Sequence, residues 1–278
     1  MGASGDVAFV LGGGGMLGAN EVGMLRALCE RGIAPDLILG TSVGALNGAV
    51  IAAGFSPDAI THLAQLWSSI DEDAVFSGSM LTQVRTLMKS RTHLHPNERL
   101  RELVATHLPV DTFEELTVPF QCVAASIERA GAHWFSSGPL VDAVLASSAV
   151  PALLPPVRID GEHYYDGGLV HSIPVGRAIS LGAGCVYVLQ VGRVEEPLTP
   201  PQTPLQVGLV AFEIARRHRF VEEMEHLPED VTVHVLPTGD ALPPTDLTAQ
   251  LRYRDVSEVA SRIESAYESA ATYLDQVA

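Results

Sequence analysis

The tightest constraint on this chain lies between residues 36 and 53. Leu37-Ile38-Leu39 is a short apolar run bounded by Pro35 and Gly40, and it reads as a buried strand. Ala45-Leu46-Asn47-Gly48-Ala49-Val50-Ile51-Ala52-Ala53 is small and apolar and reads as a buried helix. Joining the two is Gly40-x-Ser42-x-Gly44. A strand that turns this abruptly into a helix at a serine strains that residue's backbone and pushes its hydroxyl out beyond the strand end. Gly40 and Gly44 remove the Cβ atoms that would collide where strand and helix pack. With 25 glycines in 278 residues the spacing alone carries little weight. The strand–turn–helix setting makes Ser42 a candidate nucleophile; the competing reading is an ordinary helix-capping serine.

The preceding segment has the same logic. Asp6 to Leu11 predicts a first strand, which runs directly into Gly12-Gly13-Gly14-Gly15-Met16-Leu17-Gly18. A helical pattern follows through Val22, Leu25, Leu28 and Cys29 and ends at Gly32. Strand, glycine loop, helix, strand, elbow and helix in succession imply a parallel α/β core. Gly13-x-Gly15-x-x-Gly18 fits the dinucleotide fingerprint, but that fold wants an acidic residue at the far end of the second strand. Here Asp36 lies at the near end, and the far end carries Gly40-Thr41-Ser42. The better reading is an oxyanion hole, in which backbone N–H groups of Gly13, Gly14 and Gly15 at a helix start converge on a developing negative oxygen.

Further along, helices are predicted from Ser56 to Trp67, from Asn97 to Leu108 and from Leu140 to Ala149. Residues 71 to 93 read either as a core helix or as an apolar cap over a site. Strands are predicted at Phe120 to Ile127, His133 to Phe135, Val157 to Ile159 and His163 to Tyr165, followed by Asp166-Gly167-Gly168. Pro174 to Leu181 reads as a helix and Cys185 to Val191 as a strand. Glu195 to Pro204 reads as a linker, and beyond it come a helix (205–226), a strand (Val231 to Leu236) and a terminal helix (Val256 to Val277). The basic cluster Arg216-Arg217-His218-Arg219 is expected to form a solvated helix face.

A net charge of −16, with Lys89 the only lysine, argues against nucleic acid and against electrostatic docking on anionic lipid. Cys29, Cys122 and Cys185 are widely spaced and read as reduced core residues, and no His, Cys and carboxylate spacing suggests a metal. Without a signal-like start or a long apolar run, the expected location is cytoplasmic, with any membrane contact transient and made through apolar residues such as 76 to 88. No cofactor is expected, and nothing in the chain signals an oligomeric state.

The glycine loop, the Ser42 elbow and Asp166-Gly167-Gly168, taken in that order, resemble the patatin-like phospholipases. Ala146-Ser147-Ser148-Ala149-Val150-Pro151, Pro155-Pro156 and Ile173-Pro174 extend the resemblance over about residues 6 to 192. It implies a three-layer α/β/α fold with a mainly parallel sheet, formed by one unit over 1–278 with a helical extension from about 205. It also implies a Ser–Asp dyad. Ser42 would attack a lipid ester carbonyl, Asp166 would serve as general base, and Gly18, Gly40, Gly44, Gly167 and Gly168 would shape the motifs. Leu17 departs from the family pattern, which usually has Arg or Lys before the loop's last glycine. That departure sustains a weakly active, lipid-binding relative as an alternative, beside a nucleotide-binding module on Gly13–Gly18. A Ser–His–Asp hydrolase using His171 or His163 is the other enzyme reading, although it normally has more strands before its elbow than the two seen here.

Overall fold

The computed structural model describes residues 6–69, 93–191, 197–239 and 256–277. The segment expected to form a helix or cap (71–93, His93 aside), the apolar residues 76 to 88 and the first part of the expected linker lie outside the described residues.

Strand β1 (Asp6–Leu11) pairs in parallel with β2 (Leu37–Thr41) on one side and with β7 (Ala183–Leu189) on the other, and β7 pairs in parallel with β8 (Thr232–Val235). β2 also runs parallel to β3 (Phe120–Ser126). Three antiparallel strands complete the sheet: β4 (Gly131–Phe135), β5 (Val157–Ile159) and β6 (Glu162–Asp166), with the order β5-β6-β3-β2-β1-β7-β8 and β4 on β3. The sheet is therefore mixed and mostly parallel.

The uninterrupted apolar run of β1 is explained by burial on both faces. Phe9 and Leu11 enter the larger core with residues of α1 (Ala19–Glu30), α2 (Val43–Ala52), α3 (Pro57–Ser69) and α8 (Val256–Val277). Ala8 and Val10 alternate to the opposite face, against Val175 and Ala178 of α6 (Val175–Ser180) and Phe220 of α7 (Pro204–Glu225). Helices flank both faces, in keeping with the three layers expected. Two shorter helices, α4 (Glu98–His107) and α5 (Leu140–Ser147), pack together beside β3. α7 opens on a capping box, in which Thr203 Oγ1 accepts from the Gln206 N–H and Gln206 Oε1 accepts from the Thr203 N–H, with Pro204 in the first turn. No helix among the described residues is long and apolar enough to cross a membrane.

A close helix–helix approach seats the C-terminal helix against α1. A Cβ built on Gly23 of α1 would fall 2.1 Å from the Ile263 carbonyl oxygen and 2.7 Å from the Tyr267 nitrogen of α8. Those are backbone atoms that no rotamer change can move. Gly23→Ala is therefore expected to destabilise the protein by about 1–3 kcal/mol in urea unfolding. On an exposed helix the same change would stabilise by about 1 kcal/mol, so the sign of the effect tests the contact.

Candidate active site

Strand register brings together residues that the sequence separates by more than a hundred positions. Along β3, Cys122 and Val123 pair with β4 on one edge and with Gly40 and Thr41 of β2 on the other. The next residues, Ala124 to Ser126, keep β4 on the first edge, but β6 now occupies the second. β2 and β6 thus share one edge of β3 and approach each other head-on. β2 ends with Thr41 opposite Val123, and β6 ends with Asp166 opposite Ala124. Ser42, next after Thr41, consequently emerges where Asp166 arrives.

Ser42 has φ 56° and ψ −121°, a conformation that costs a side-chain-bearing residue about 1–3 kcal/mol. Its side chain caps no helix, which excludes the capping reading. The elbow is tight for the reason expected. A Cβ on Gly40 would lie 2.4 Å from the Gly44 oxygen, and one on Gly44 would lie 2.3 Å from the Leu11 oxygen. The strained turn is held by Ser147, whose Oγ accepts from the Ser42 N–H (2.9 Å) and donates to the Val123 carbonyl (2.6 Å). Thr41 Oγ1 donates to the His171 carbonyl (2.8 Å) from the other side.

Asp166 is 1% exposed. Its Oδ1 accepts from the Gly168 N–H (2.7 Å), and its Oδ2 is buried with no hydrogen-bond partner. Burial pushes the carboxyl up from an ordinary 3.8 to about 6, against the opposing pull of the nearby Ser42 hydroxyl, the Gly168 N–H and the Arg216 charge. Ser42 is thus near enough to favour the carboxylate, while Asp166 Oδ2 keeps no hydrogen-bond partner.

The glycine loop lies beside this pair: a Cβ built on Gly13 would fall 3.4 Å from Ser42 Cβ. One expectation needs correction. The Gly13 N–H donates to the Ser172 carbonyl (3.0 Å) and is not free to bind an oxyanion. The N–H groups of Gly14 and Gly15 have no protein partner among the described residues, and Gly14 immediately precedes a 3-10 turn that leads into α1. Gly18 lies behind the loop rather than at the site. Its carbonyl accepts from Asn47 Nδ2 (3.0 Å), which also donates to the buried Glu21 (2.7 Å), while Trp67 Nε1 donates to Asn47 Oδ1. Burial holds the Glu21 carboxyl well above the usual carboxylate range.

Ser42, Asp166, Gly13, Gly14, Gly15 and Gly168 line one cavity, closed on its apolar side by Val150, Leu209 and Phe212. Gly167 lies just outside it, against the Val123 carbonyl. Glu213, Arg216 and Ser172 complete the wall. The cluster read as a solvated face is therefore split: His218 and Arg219 are exposed, Arg217 is half-buried, and Arg216 is 9% exposed. Its Nη1 bonds Glu213 (2.7 Å) one helical turn back. The available signal was positional, since Leu209, Glu213, Arg216 and Phe220 follow i, i+4, i+7, i+11 and two opposite charges share that inward stripe.

The other readings fare differently. Asp36 ties the start of β2 to β1, its carboxylate accepting from the Val7 N–H (2.8 Å), and is remote from the loop as a ribose ligand would not be. His163 Nδ1 is engaged by Glu128 on an exposed edge, and His171 Nδ1 by Glu223. Neither histidine lines the Ser42 cavity.

The family model described as patatin-like phospholipase matches residues 9–179. Patatin-like phospholipase domain-containing protein 7 of Rattus norvegicus is 32% identical over 192 residues, covering 68% of this chain and 14% of the relative. Lysophospholipase nte1 of Aspergillus terreus is 30% identical over 191 residues, covering 69% of this chain and 12% of the relative. The chain thus spans only about a seventh of the length of these curated relatives. Among solved structures, VipD from Legionella pneumophila superposes over 99% of this chain and 68% of that one, with a TM-score of 0.54 and 16% identity, a likeness of fold. By the family match over residues 9–179 and 32% identity, across 68% of its own length, to a relative, this chain belongs to the patatin-like phospholipase family.

Proposed function

We propose that this chain hydrolyses carboxylic esters of lipids through an acyl-Ser42 intermediate. The observation that carries the reading is the head-on approach of β2 and β6, which ends with a strained serine and a buried, unpartnered carboxylate oxygen facing one cavity. In the first step Ser42 Oγ bonds the ester carbonyl carbon while its proton passes to Asp166. The carbonyl oxygen, now anionic, accepts from the Gly14 and Gly15 N–H groups, and each such donor is typically worth about 3 kcal/mol. Asp166 then returns the proton to the departing alcohol. A water molecule, deprotonated by the same carboxylate, attacks the acyl-serine; the bond from the acyl carbon to Ser42 Oγ breaks, the fatty acid leaves, and Asp166 returns the proton to Ser42 Oγ.

An ordinary carboxylate is a weak base toward a serine hydroxyl. A carboxyl raised to about 6 narrows that mismatch while remaining ionised at neutral pH. The apolar wall of Val150, Leu209 and Phe212 suits an acyl chain better than a polar substituent. Family membership and the lysophospholipase name carried by the Aspergillus terreus relative support a lipid ester as substrate.

The reading is tested by incubating folded protein with a fluorophosphonate and mapping the adduct by peptide mass spectrometry. Label on Ser42, suppressed by prior incubation with a lysophospholipid, is the expected result. Protein that hydrolyses a nitrophenyl ester yet carries no label on Ser42 would contradict it.

A further inference from the structure

The loop from Gly12 to Gly18 contains no charged side chain. Its positive charge comes from some two hundred residues away. Arg216 of α7 donates from Nη2 to the Gly13 carbonyl (2.5 Å), from Nε to Ser172 Oγ (2.9 Å) and from Nη1 to Glu213 (2.7 Å). Ser172 in turn accepts the Gly13 N–H at its own carbonyl, so Gly13 is held at both ends by one Arg216–Ser172 bracket. From this geometry we infer that Arg216 is a positioning residue for ester hydrolysis, orienting and polarising the peptide that presents the Gly14 N–H to the oxyanion.

The argument follows from the peptide unit itself. The Gly13 C=O and the Gly14 N–H belong to one planar trans group and point in opposite directions. A guanidinium that captures the carbonyl therefore fixes where the amide hydrogen points. Hydrogen bonds in series also polarise one another, so a charged donor on the carbonyl makes the amide a stronger donor. Burying an Arg–Glu pair gives little stability compared with apolar residues of the same volume, so packing α7 onto the sheet does not by itself call for this pair. Glu213, also bonded by Arg217, makes the burial of Arg216 tolerable.

Arg216 acts on the base as well. The charged and ionisable groups on the elements packed around Asp166 include Arg216, Arg217 and Glu213 on α7, Arg158 on β5, Asp142 on α5 and Cys122 on β3. Of these, only the Arg216 charge pulls the Asp166 carboxyl downward.

This inference rests on the acyl-Ser42 reading, and the experiment separates the two. Wild-type turnover of a nitrophenyl ester is measured first against Ser42→Ala; an equal rate in both defeats the underlying reading. Arg216→Lys and Arg216→Met are then compared for kcat, KM and the pH profile of kcat/KM. Lysine keeps the charge but cannot span three acceptors, so kcat is expected to fall about tenfold with KM within about twofold and the acid limb unmoved. Methionine removes the charge, so kcat falls further, about a hundredfold, and the acid limb moves upward from near pH 6. Wild-type kcat in Arg216→Lys overturns the inference even if the methionine variant does not fold. A rate loss shared by both folded variants with no shift of the limb in Arg216→Met also overturns it, reducing Arg216 to packing.

Discussion

Ser42→Ala is expected to lower kcat/KM for any ester substrate by about 10⁴-fold or more while the protein remains folded. The expectation is this large because the proposed mechanism acylates the serine oxygen itself; no neighbouring hydroxyl among the described residues is placed to substitute for it. Ser147 Oγ is committed to the Ser42 N–H and the Val123 carbonyl, and Ser172 Oγ accepts from Arg216. A companion variant tests the strain at the same position. Ser42 holds φ 56° and ψ −121°, where glycine is at no disadvantage. Ser42→Gly is therefore expected to be as inactive as the alanine variant but more stable than wild type by about 1 kcal/mol in urea unfolding. Stability gained on losing the nucleophile is the mark of strain kept for function. A Ser42→Gly protein less stable than wild type would show that the elbow is not strained. Turnover retained by Ser42→Ala would remove Ser42 from the chemistry altogether.

Asp166→Asn should cost about 10³- to 10⁴-fold in kcat, since the proposed mechanism would lose the base and the acid of both half-reactions together. The geometry should survive. The Asn side-chain oxygen can still accept from the Gly168 N–H, as Asp166 Oδ1 does at 2.7 Å. Wild-type kcat/KM should rise with pH along an acid limb centred near 6, because the carboxylate is the active form and burial has raised its pKa from 3.8 to about 6. For stability the sign runs the other way from that of a salt-bridged carboxylate. The folded state holds this proton more tightly than the unfolded chain, so stability is fullest below about pH 4 and declines as pH rises through 6. Above that range the ionised group costs on the order of 3 kcal/mol, and Asp166→Asn should accordingly raise Tm at pH 8. An acid limb centred below pH 5, or an Asp166→Asn enzyme retaining a tenth of its turnover, would exclude Asp166 as the base.

The local elements were legible because each has a local cause. The continuous apolar run of β1 and the glycine-flanked serine each act within a few residues of chain, and each element forms close to where its pattern ends. The Arg216 cluster departs from the expected solvated face for a related reason. Four basic residues in a row suggest solvent, and only the inward stripe Leu209–Glu213–Arg216–Phe220 distinguishes the one that turns toward the sheet. No local pattern marks the Gly13 N–H as engaged, because its acceptor, the Ser172 carbonyl, belongs to a turn 159 positions later.

By itself, then, the amino-acid order determined the strained elbow, the bare glycine loop and the carboxylate before two glycines. Steric limits on φ and ψ and the period of apolar residues operate over such short distances. Tertiary structure alone decided that these parts meet. β2 and β6 end on consecutive residues of one edge of β3, a matter of strand register between distant segments. It also decided that α7 lays a buried guanidinium on the Gly13 carbonyl. Pairing and burial between segments far apart depend on how the whole sheet and its helices close together, and no window of sequence contains that information.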